Sequence, residues 1–213
     1  MNRANFALIA DLAQDLKPVR AFRATDGFAL TAAGIVVSIA LVAATNGLWD
    51  GPLTGEASPF FFLANGLLVL FGLACAANAV RMASPGVGNH YGAAHWPLAM
   101  LAVLPLVAVL SLSRHGLLGE VMADPYGMHC LLSGSATGIV TAAALTGWLR
   151  RGAPVDTRRA GLMVGLAAGA LGSATYGLSC PADSLAHVAI WHILPVALCG
   201  AIGRVVLPRI MRW

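Results

Sequence analysis

The placement of basic residues along the chain constrains its fold more than any other feature. The chain has 13 lysines and arginines, and a six-helix membrane interpretation puts all but Arg114 on one side of the membrane. That side holds Arg3, Lys17, Arg20, Arg23, Arg81, Arg150, Arg151, Arg158, Arg159, Arg204, Arg209 and Arg212. Short loops that carry lysine and arginine stay in the cytosol. The sequence therefore predicts cytosolic termini (N-in/C-in), cytosolic second and fourth connections, and three outward connections.

Six apolar stretches carry this interpretation, each close to the roughly 20 residues that cross a bilayer as a helix. They lie near residues 27–46, 60–81, 96–114, 127–149, 160–178 and 186–207. Hydrophobic residues make up 58% of the chain and charged residues 10%, unlike an ordinary soluble domain. We therefore predict an all-α polytopic bundle of six transmembrane helices over residues 27–213, in contact with membrane lipids, after a cytosolic segment of residues 1–26. Because the basic residues sit beside predicted membrane boundaries, where they meet anionic headgroups, direct binding to nucleic acid is not expected.

Small residues recur every four positions in the fifth stretch, a spacing that lets a neighbouring helix approach closely. They are Gly161, Gly165, Gly169, Ser173 and Gly177. Gly134 and Gly138 repeat the pattern in the fourth stretch, so we predict that the fourth and fifth helices pack together. A homodimer interface is the alternative use of the glycine face.

Prolines predict bends in two spans, at Pro97 and Pro105 in the third and at Pro195 in the sixth. In transporters such bends often line a substrate site, whereas in most bundles they are only kinks. A small transporter or permease with substrate between the third and sixth helices is thus the alternative function. The absence of charged residues from the middle of the spans argues against an ion-coupled pump.

Two cysteines fall at the same outward surface, although they are fifty positions apart. Cys130 begins the fourth stretch and Cys180 lies in the last outward connection. The pair has three possible chemistries: a disulfide, a reactive dithiol, or thiolate ligands to a transient soft metal ion, aided by His129 or His187. No other cofactor is expected, and no catalytic base or cofactor motif accompanies the thiols, so an enzyme is the least favoured class.

The remaining cysteines and histidines give weaker signals. Cys75 and Cys199 fall inside spans, where cysteine usually packs as a small apolar residue. His187 and His192 are five positions apart, which predicts that they point from different faces of one helix.

The amino-terminal segment contains an amphipathic helix that ends before Pro18. Its apolar stripe consists of Phe6, Leu8, Ile9, Leu12 and Leu16, with Asp11 and Asp15 on another face. Such a helix either lies on the inner leaflet or docks in a groove of a cytosolic partner.

Several short motifs resemble the NrsF family. They are the run from Leu8 to Arg20 with its Asp-Leu-Lys-Pro-Val-Arg ending, the six stretches, Tyr176 to Pro181, Ile190 to His192, Gly203-Arg204 and Met211 to Trp213. The resemblance covers nearly the whole chain. It implies a six-span anti-sigma factor of the bacterial inner membrane, a negative regulator of sigma-F-type factors that is not an enzyme.

The resemblance also implies a partner, a region that contacts it, and a pair of cysteines that receive a signal. The partner is an extracytoplasmic-function (ECF) sigma factor, held by residues near Leu12, Asp15, Leu16, Pro18, Val19 and Arg20 and released under stress. In the family, two cysteines placed like Cys130 and Cys180 are associated with sensing oxidising or heavy-metal stress. Ser179 stands where a histidine often precedes the second cysteine, a departure that favours dithiol chemistry or two-coordinate metal capture over a four-ligand site.

Overall fold

The computed structural model of the chain describes residues 3–14, 23–84, 124–182 and 184–211, together with five isolated positions between 99 and 110. Throughout these ranges the regular structure is helical and contains no strand, which confirms the predicted all-α class there. The helices are α1 (Arg3–Gln14), α2 (Ala24–Thr45), α3 (Gly51–Thr54), α4 (Pro59–Met82), α5 (Gly127–Leu149), α6 (Thr157–Gly177), α7 (Leu185–Trp191) and α8 (Leu194–Ile210).

Five helical segments are long and apolar enough to cross a membrane: α2, α4, α5, α6, and α7 together with α8. They correspond to five of the six predicted spans. The predicted third span at residues 96–114, with its two prolines, lies almost entirely outside the described residues. Helices α4 and α6 begin at capping side chains. Ser58 accepts a hydrogen bond from the Phe61 amide at the start of α4, and Asp156 accepts one from the Arg159 amide at the start of α6.

Helix α6 occupies the centre of the bundle and is almost wholly buried, since its small side chains let three neighbours approach. Its glycine stripe faces α8. A Cβ atom added at Gly161, Gly165 or Gly169 would strike a backbone carbonyl of α8. The stripe was predicted to join the fourth and fifth helices; Ser173 does meet Gly134 of α5, whereas Gly161, Gly165 and Gly169 meet α8. Since α8 belongs to the same chain, these glycines serve packing within one chain.

The predicted packing of the fourth helix on the fifth is nevertheless confirmed. Helices α5 and α6 meet through Gly138 and Gly172, where an added Cβ would strike the backbone of the opposite helix. Thr137 of α5 also donates a hydrogen bond to the carbonyl of Gly172, over 2.9 Å. Small residues therefore bring α6 against both α5 and α8.

The sixth span is broken at His192 and Ile193, between α7 and α8. Pro195 has no amide hydrogen for the carbonyl of Trp191, four residues earlier. The amide of Val196 bonds to Ile193 instead of His192. The predicted bend at Pro195 is thus confirmed, and it leaves the carbonyl of His192 free for a partner outside its own helix.

Charge separates the two ends of the bundle. At one end, which we call the basic end, Trp148 donates to the carbonyl of Val80 and the amide of Ala153 bonds to Ala83. The described arginines of this end and its adjoining turns are Arg23, Arg81, Arg150, Arg151, Arg158, Arg159, Arg204 and Arg209. The opposite end, which we call the thiol end, holds Cys130 and Cys180.

Candidate functional site

The two outward cysteines lie side by side at the thiol end. Cys130 occupies the first turn of α5, and Cys180 follows the end of α6 by three residues. Their Sγ atoms are 3.6 Å apart. Both side chains are buried and neither is in a disulfide. Antiparallel packing of the consecutive helices α5 and α6 therefore brings two thiols that are 50 positions apart into contact.

His187 joins the cysteines from α7. Its Nε2 atom lies 3.5 Å from the Sγ atom of Cys180. Its other ring nitrogen, Nδ1, is 2.6 Å from Oδ2 of Asp124, just before α5. Because a carboxylate can only accept, His187 carries its hydrogen on Nδ1 and, when neutral, turns the lone pair of Nε2 toward the thiol.

His192 completes the cluster from the break between α7 and α8. The Ser173 hydroxyl donates to the carbonyl of His192 over 2.6 Å, and its oxygen lies 3.3 Å from Nδ1 of the same residue. With its hydrogen committed to the carbonyl, the Ser173 oxygen can only accept from Nδ1. Nε2 of His192 is then left as a buried lone pair, without a hydrogen-bond partner among the described residues.

The donor atoms of these four residues form one compact group. One sulfur or ring nitrogen each from Cys130, Cys180, His187 and His192 lies within 4.8 Å of the other three. The ring centroids of His187 and His192 are only 5.4 Å apart. The prediction that these histidines diverge was wrong, since it assumed an unbroken helix and the break rotates His192 back toward His187.

His129 does not belong to this group. Its ring packs edge-on against Tyr176, with centroids 5.9 Å apart. It precedes Cys130 by one residue, which turns it roughly 100° around the helix. Of the four residues predicted as soft-metal ligands, the structure thus gathers Cys130, Cys180 and His187, and it places His192 where His129 was expected.

Apolar side chains enclose the thiols. They belong to a cluster that includes Val42, Leu131, Tyr176 and Trp191. At this depth hydrogen bonds and charge interactions are stronger than in water. Only Asp124 extends toward the surface, with 19% of its side chain exposed.

The contacts around the thiols favour one cysteine as the thiolate. A hydrogen bond from Cys130 lowers the pKa of the Cys180 thiol against the opposing effect of burial, and His187 lowers it further when both of its ring nitrogens carry a hydrogen. Burial also acts to raise the pKa of Asp124, but bonds from His187 and two neighbouring backbone amides hold it below its usual value. The site combines an activated sulfur with a fixed carboxylate.

Two kinds of chemistry suit this arrangement. With an external oxidant that takes up two electrons, and with loss of two protons, the sulfurs would form a disulfide by closing from their present contact to about 2.05 Å. Alternatively, two thiolates and two imidazoles match the ligand types of zinc and other borderline or soft divalent ions. Cys75 packs in the central apolar core, as predicted, and takes no part.

The proposed partner-binding region is described only in part. Leu12 lies on α1 with 61% of its surface exposed, and Phe6, Leu8 and Ile9 are exposed beside it. The other predicted contact residues lie outside the described residues: Asp15, Leu16, Pro18, Val19 and Arg20. The transporter alternative also falls largely there, because it needs the third span.

Three residues of the site escaped sequence reasoning. His192 was set aside on helical spacing, although Pro195 three positions later marks the break. Asp124 was noted only as an outward acidic residue, and Ser173 only as a small packing residue. Their roles depend on contacts across 63 and 19 positions, which no local pattern carries.

Comparison with known proteins gives one match. A family model described as NrsF, negative regulator of sigma F, matches residues 12–213. The chain has no significant match among curated proteins or among solved structures.

Proposed function

The chain belongs to the NrsF family of negative regulators of sigma F, and from this premise we propose that it is an anti-sigma factor of the bacterial inner membrane. Its amino-terminal segment, residues 1–26, holds an ECF sigma factor away from RNA polymerase. A stress signal received at Cys130 and Cys180 releases that factor. The family is one of regulators and not of enzymes, which accords with a non-catalytic role.

Membrane insertion with the basic end in the cytosol is part of the proposal. Five described segments have the length and apolarity of spans, and the arginines gather at one end, as the positive-inside rule requires of a cytosolic face. Residue 84 lies at the basic end beside Ala153, whereas residue 124 lies at the thiol end beside His187. The proposed six spans, with both termini in the cytosol, would satisfy these positions by adding the predicted crossing at residues 96–114 between them.

The exposed apolar face of α1 supports the docking step. Phe6, Leu8, Ile9 and Leu12 each expose more than half of their surface, which is costly for a helix that stays in water. An amphipathic helix of this kind binds well in an apolar groove of another protein. Since the matched family regulates a sigma factor, we assign that groove to the sigma factor; the inner leaflet is the competing location.

Helix α5 offers a route between the two ends. It carries Cys130 at the thiol end and Trp148 at the basic end. Along its length it contacts α2: Ser38 donates to the carbonyl of Thr137, and Gly27 packs against the Trp148 ring. Because α2 follows the amino-terminal segment directly, a shift of α5 reaches the region that binds the partner.

Such a switch requires a minimum difference in binding free energy between two arrangements of the bundle. A signal changes sigma-factor binding only through its different affinity for two arrangements of the bundle. Moving from about 1% to 99% released needs roughly 5.5 kcal/mol. Covalent or metal bonds at the cysteines are of the right strength to supply it.

The family match over residues 12–213 carries this proposal, and co-purification tests it. The full chain is co-expressed with a candidate ECF sigma factor and extracted in detergent, and a form without residues 1–26 serves as the comparison. We expect the sigma factor to stay with the full chain and to be lost with the truncated form. Retention by the truncated, correctly inserted bundle would contradict the docking step, and absence from both would contradict the anti-sigma function.

A further inference from the structure

We propose that Cys130, Cys180, His187 and His192 form a preorganised four-coordinate site for a divalent metal ion of the zinc type, with Asp124 and Ser173 orienting the two imidazoles. This extends the predicted two-thiol capture to a complete ligand set. Metal binding itself does not depend on the proposed function; its effect on sigma-factor release does.

The spacing of the donor atoms supports tetrahedral coordination. Zinc bonds of about 2.3 Å to sulfur and about 2.0–2.1 Å to nitrogen put neighbouring ligand atoms of a tetrahedron roughly 3.3–3.8 Å apart. The Cys130 and Cys180 sulfurs are 3.6 Å apart, and the Cys180 sulfur is 3.5 Å from Nε2 of His187. The complete set lies within 4.8 Å. Only a small contraction separates the cluster from a coordination sphere.

Both imidazoles are set to donate a lone pair. Asp124 fixes the hydrogen of His187 on Nδ1, and Ser173 does the same for His192. A carboxylate or other acceptor behind a histidine is the usual device that orients a metal ligand. His192 is only 3% exposed and its Nε2 is unpartnered among the described residues. A buried lone pair without a donor is costly, and a metal ion would satisfy it.

Charge selects the class of ion. Relative to two neutral thiols and two neutral imidazoles, binding of a divalent ion releases two protons to solvent, and no electrons are transferred. Two thiolates then cancel the charge of the ion, while the imidazoles stay neutral. A neutral centre suits the apolar enclosure, where an uncompensated charge is strongly disfavoured. A monovalent soft ion would leave a net negative charge there, so zinc or cadmium fits better.

The site connects three elements of the bundle. Cys130 belongs to α5, Cys180 to the turn after α6, and the histidines to the sixth span, with His187 in α7 and His192 in the break. On the proposed function, metal occupancy fixes α5 relative to the sixth span and thereby sets the affinity for the sigma factor.

Cobalt substitution tests the site without any sigma factor. The full chain, reduced and freed of metal in detergent, is titrated with Co²⁺ and then with Zn²⁺ or Cd²⁺. We expect one equivalent of Co²⁺ to give the strong visible bands of tetrahedral cobalt and a thiolate charge-transfer band, and one equivalent of Zn²⁺ to abolish both. Failure of the reduced wild-type chain to bind any of these ions would overturn the proposal.

Three variants locate the ligands. We expect His192→Gln to lose the tetrahedral spectrum, and Asp124→Ala to keep it with affinity lower by about 10–100-fold. His129→Gln is the matched control, because His129 lies at the same surface outside the cluster, and it should behave as wild type. Size-exclusion profiles and helical circular dichroism confirm that each variant is folded.

The results of these experiments distinguish failure of the metal site from failure of the proposed anti-sigma function. A His192→Gln protein that binds Co²⁺ with unchanged spectrum and affinity overturns the four-ligand site and leaves capture by two thiols. Metal binding without any sigma-factor binding contradicts the proposed function and leaves the site standing. Equal sigma-factor affinity with and without Zn²⁺ contradicts the regulatory step alone.

Discussion

The hydroxyl of Ser173, on α6, donates a 2.6 Å hydrogen bond to the carbonyl of His192, which lies at the break in the sixth span. Ser173 is the fourth member of the small-residue stripe on α6, whose first three glycines face α8. The same stripe thus packs the bundle and, at its one hydroxyl, holds a histidine of the site.

The first prediction concerns that hydroxyl. Ser173→Ala removes the bond and leaves a buried carbonyl unsatisfied, which costs about 1–3 kcal/mol. We expect a lower unfolding temperature in detergent and weaker Co²⁺ binding, since Nδ1 of His192 loses its acceptor. Thr175→Val is the matched control, because the Thr175 hydroxyl bonds within its own helix. Equal Co²⁺ affinity for Ser173→Ala and wild type would argue against a positioning role.

The second prediction concerns close packing of α6 on α8. A Cβ at Gly165 would strike the backbone carbonyl of Cys199, which cannot move aside as a side chain can. We expect Gly165→Ala to destabilise the protein by about 1–3 kcal/mol. Gly66→Ala supplies the control, since nothing lies within 4 Å of a Cβ there. Thermal unfolding in detergent measures both, and similar values for the two variants would exclude the contact as a source of stability.

The third prediction concerns oxidation of the paired thiols. A mild oxidant should join Cys130 to Cys180, whose sulfurs already touch, and leave Cys75 and Cys199 free. Alkylation after denaturation, followed by mass spectrometry, should then label two of the four cysteines. Prior loading with Zn²⁺ should slow the reaction, because bound thiolates are less available to the oxidant. Unchanged oxidation kinetics with Zn²⁺ would mean that the ion does not use these sulfurs.

The fourth prediction concerns the amino-terminal helix. Leu12→Glu places a charge on the exposed apolar face of α1 and should weaken sigma-factor binding by 2 kcal/mol or more, roughly 30-fold, if Leu12 is a central contact. Gln14→Glu adds the same charge about 200° around the helix and should have little effect. Binding of the detergent-solubilised chain to the sigma factor measures both. Two equal losses would indicate a general charge effect instead of a face.

The fifth prediction concerns orientation. Leu53 lies beside the thiol end with 92% of its surface exposed, and Val155 lies beside the basic end with 72% exposed. In intact cells a membrane-impermeant thiol reagent should label Leu53→Cys and spare Val155→Cys, relative to the parent chain. After membrane disruption both should react. The reverse pattern would place the basic end outside and end the proposed topology.

Periodicity and charge predicted much of the fold. Apolar length located five described spans, and Pro195 predicted the break in the sixth. The same proline also explains why the prediction for His187 and His192 was wrong. Residues five positions apart point from different faces only along a continuous helix. Once the chain turns at His192, the two rings approach each other.

Topology also predicted part of the candidate site. Assigning Cys130 and Cys180 to one surface needed only the count of crossings between them. Excluding His129 as a metal ligand required the rotation of α5 about its axis, which the sequence does not specify. Asp124 and Ser173 depend on contacts between elements that only the folded bundle brings together.

At Gly161, Gly165 and Gly169 the backbones of α6 and α8 meet directly, which leaves little side-chain freedom there to absorb a displacement. Close-packed interiors transmit strain, so we expect these two helices to travel together as one rigid body. On the proposed function, we expect a rearrangement that starts among the sulfurs to reach α2 through α5 while α6 and α8 stay together. Regulation of this kind would leave the packed centre of the bundle closed.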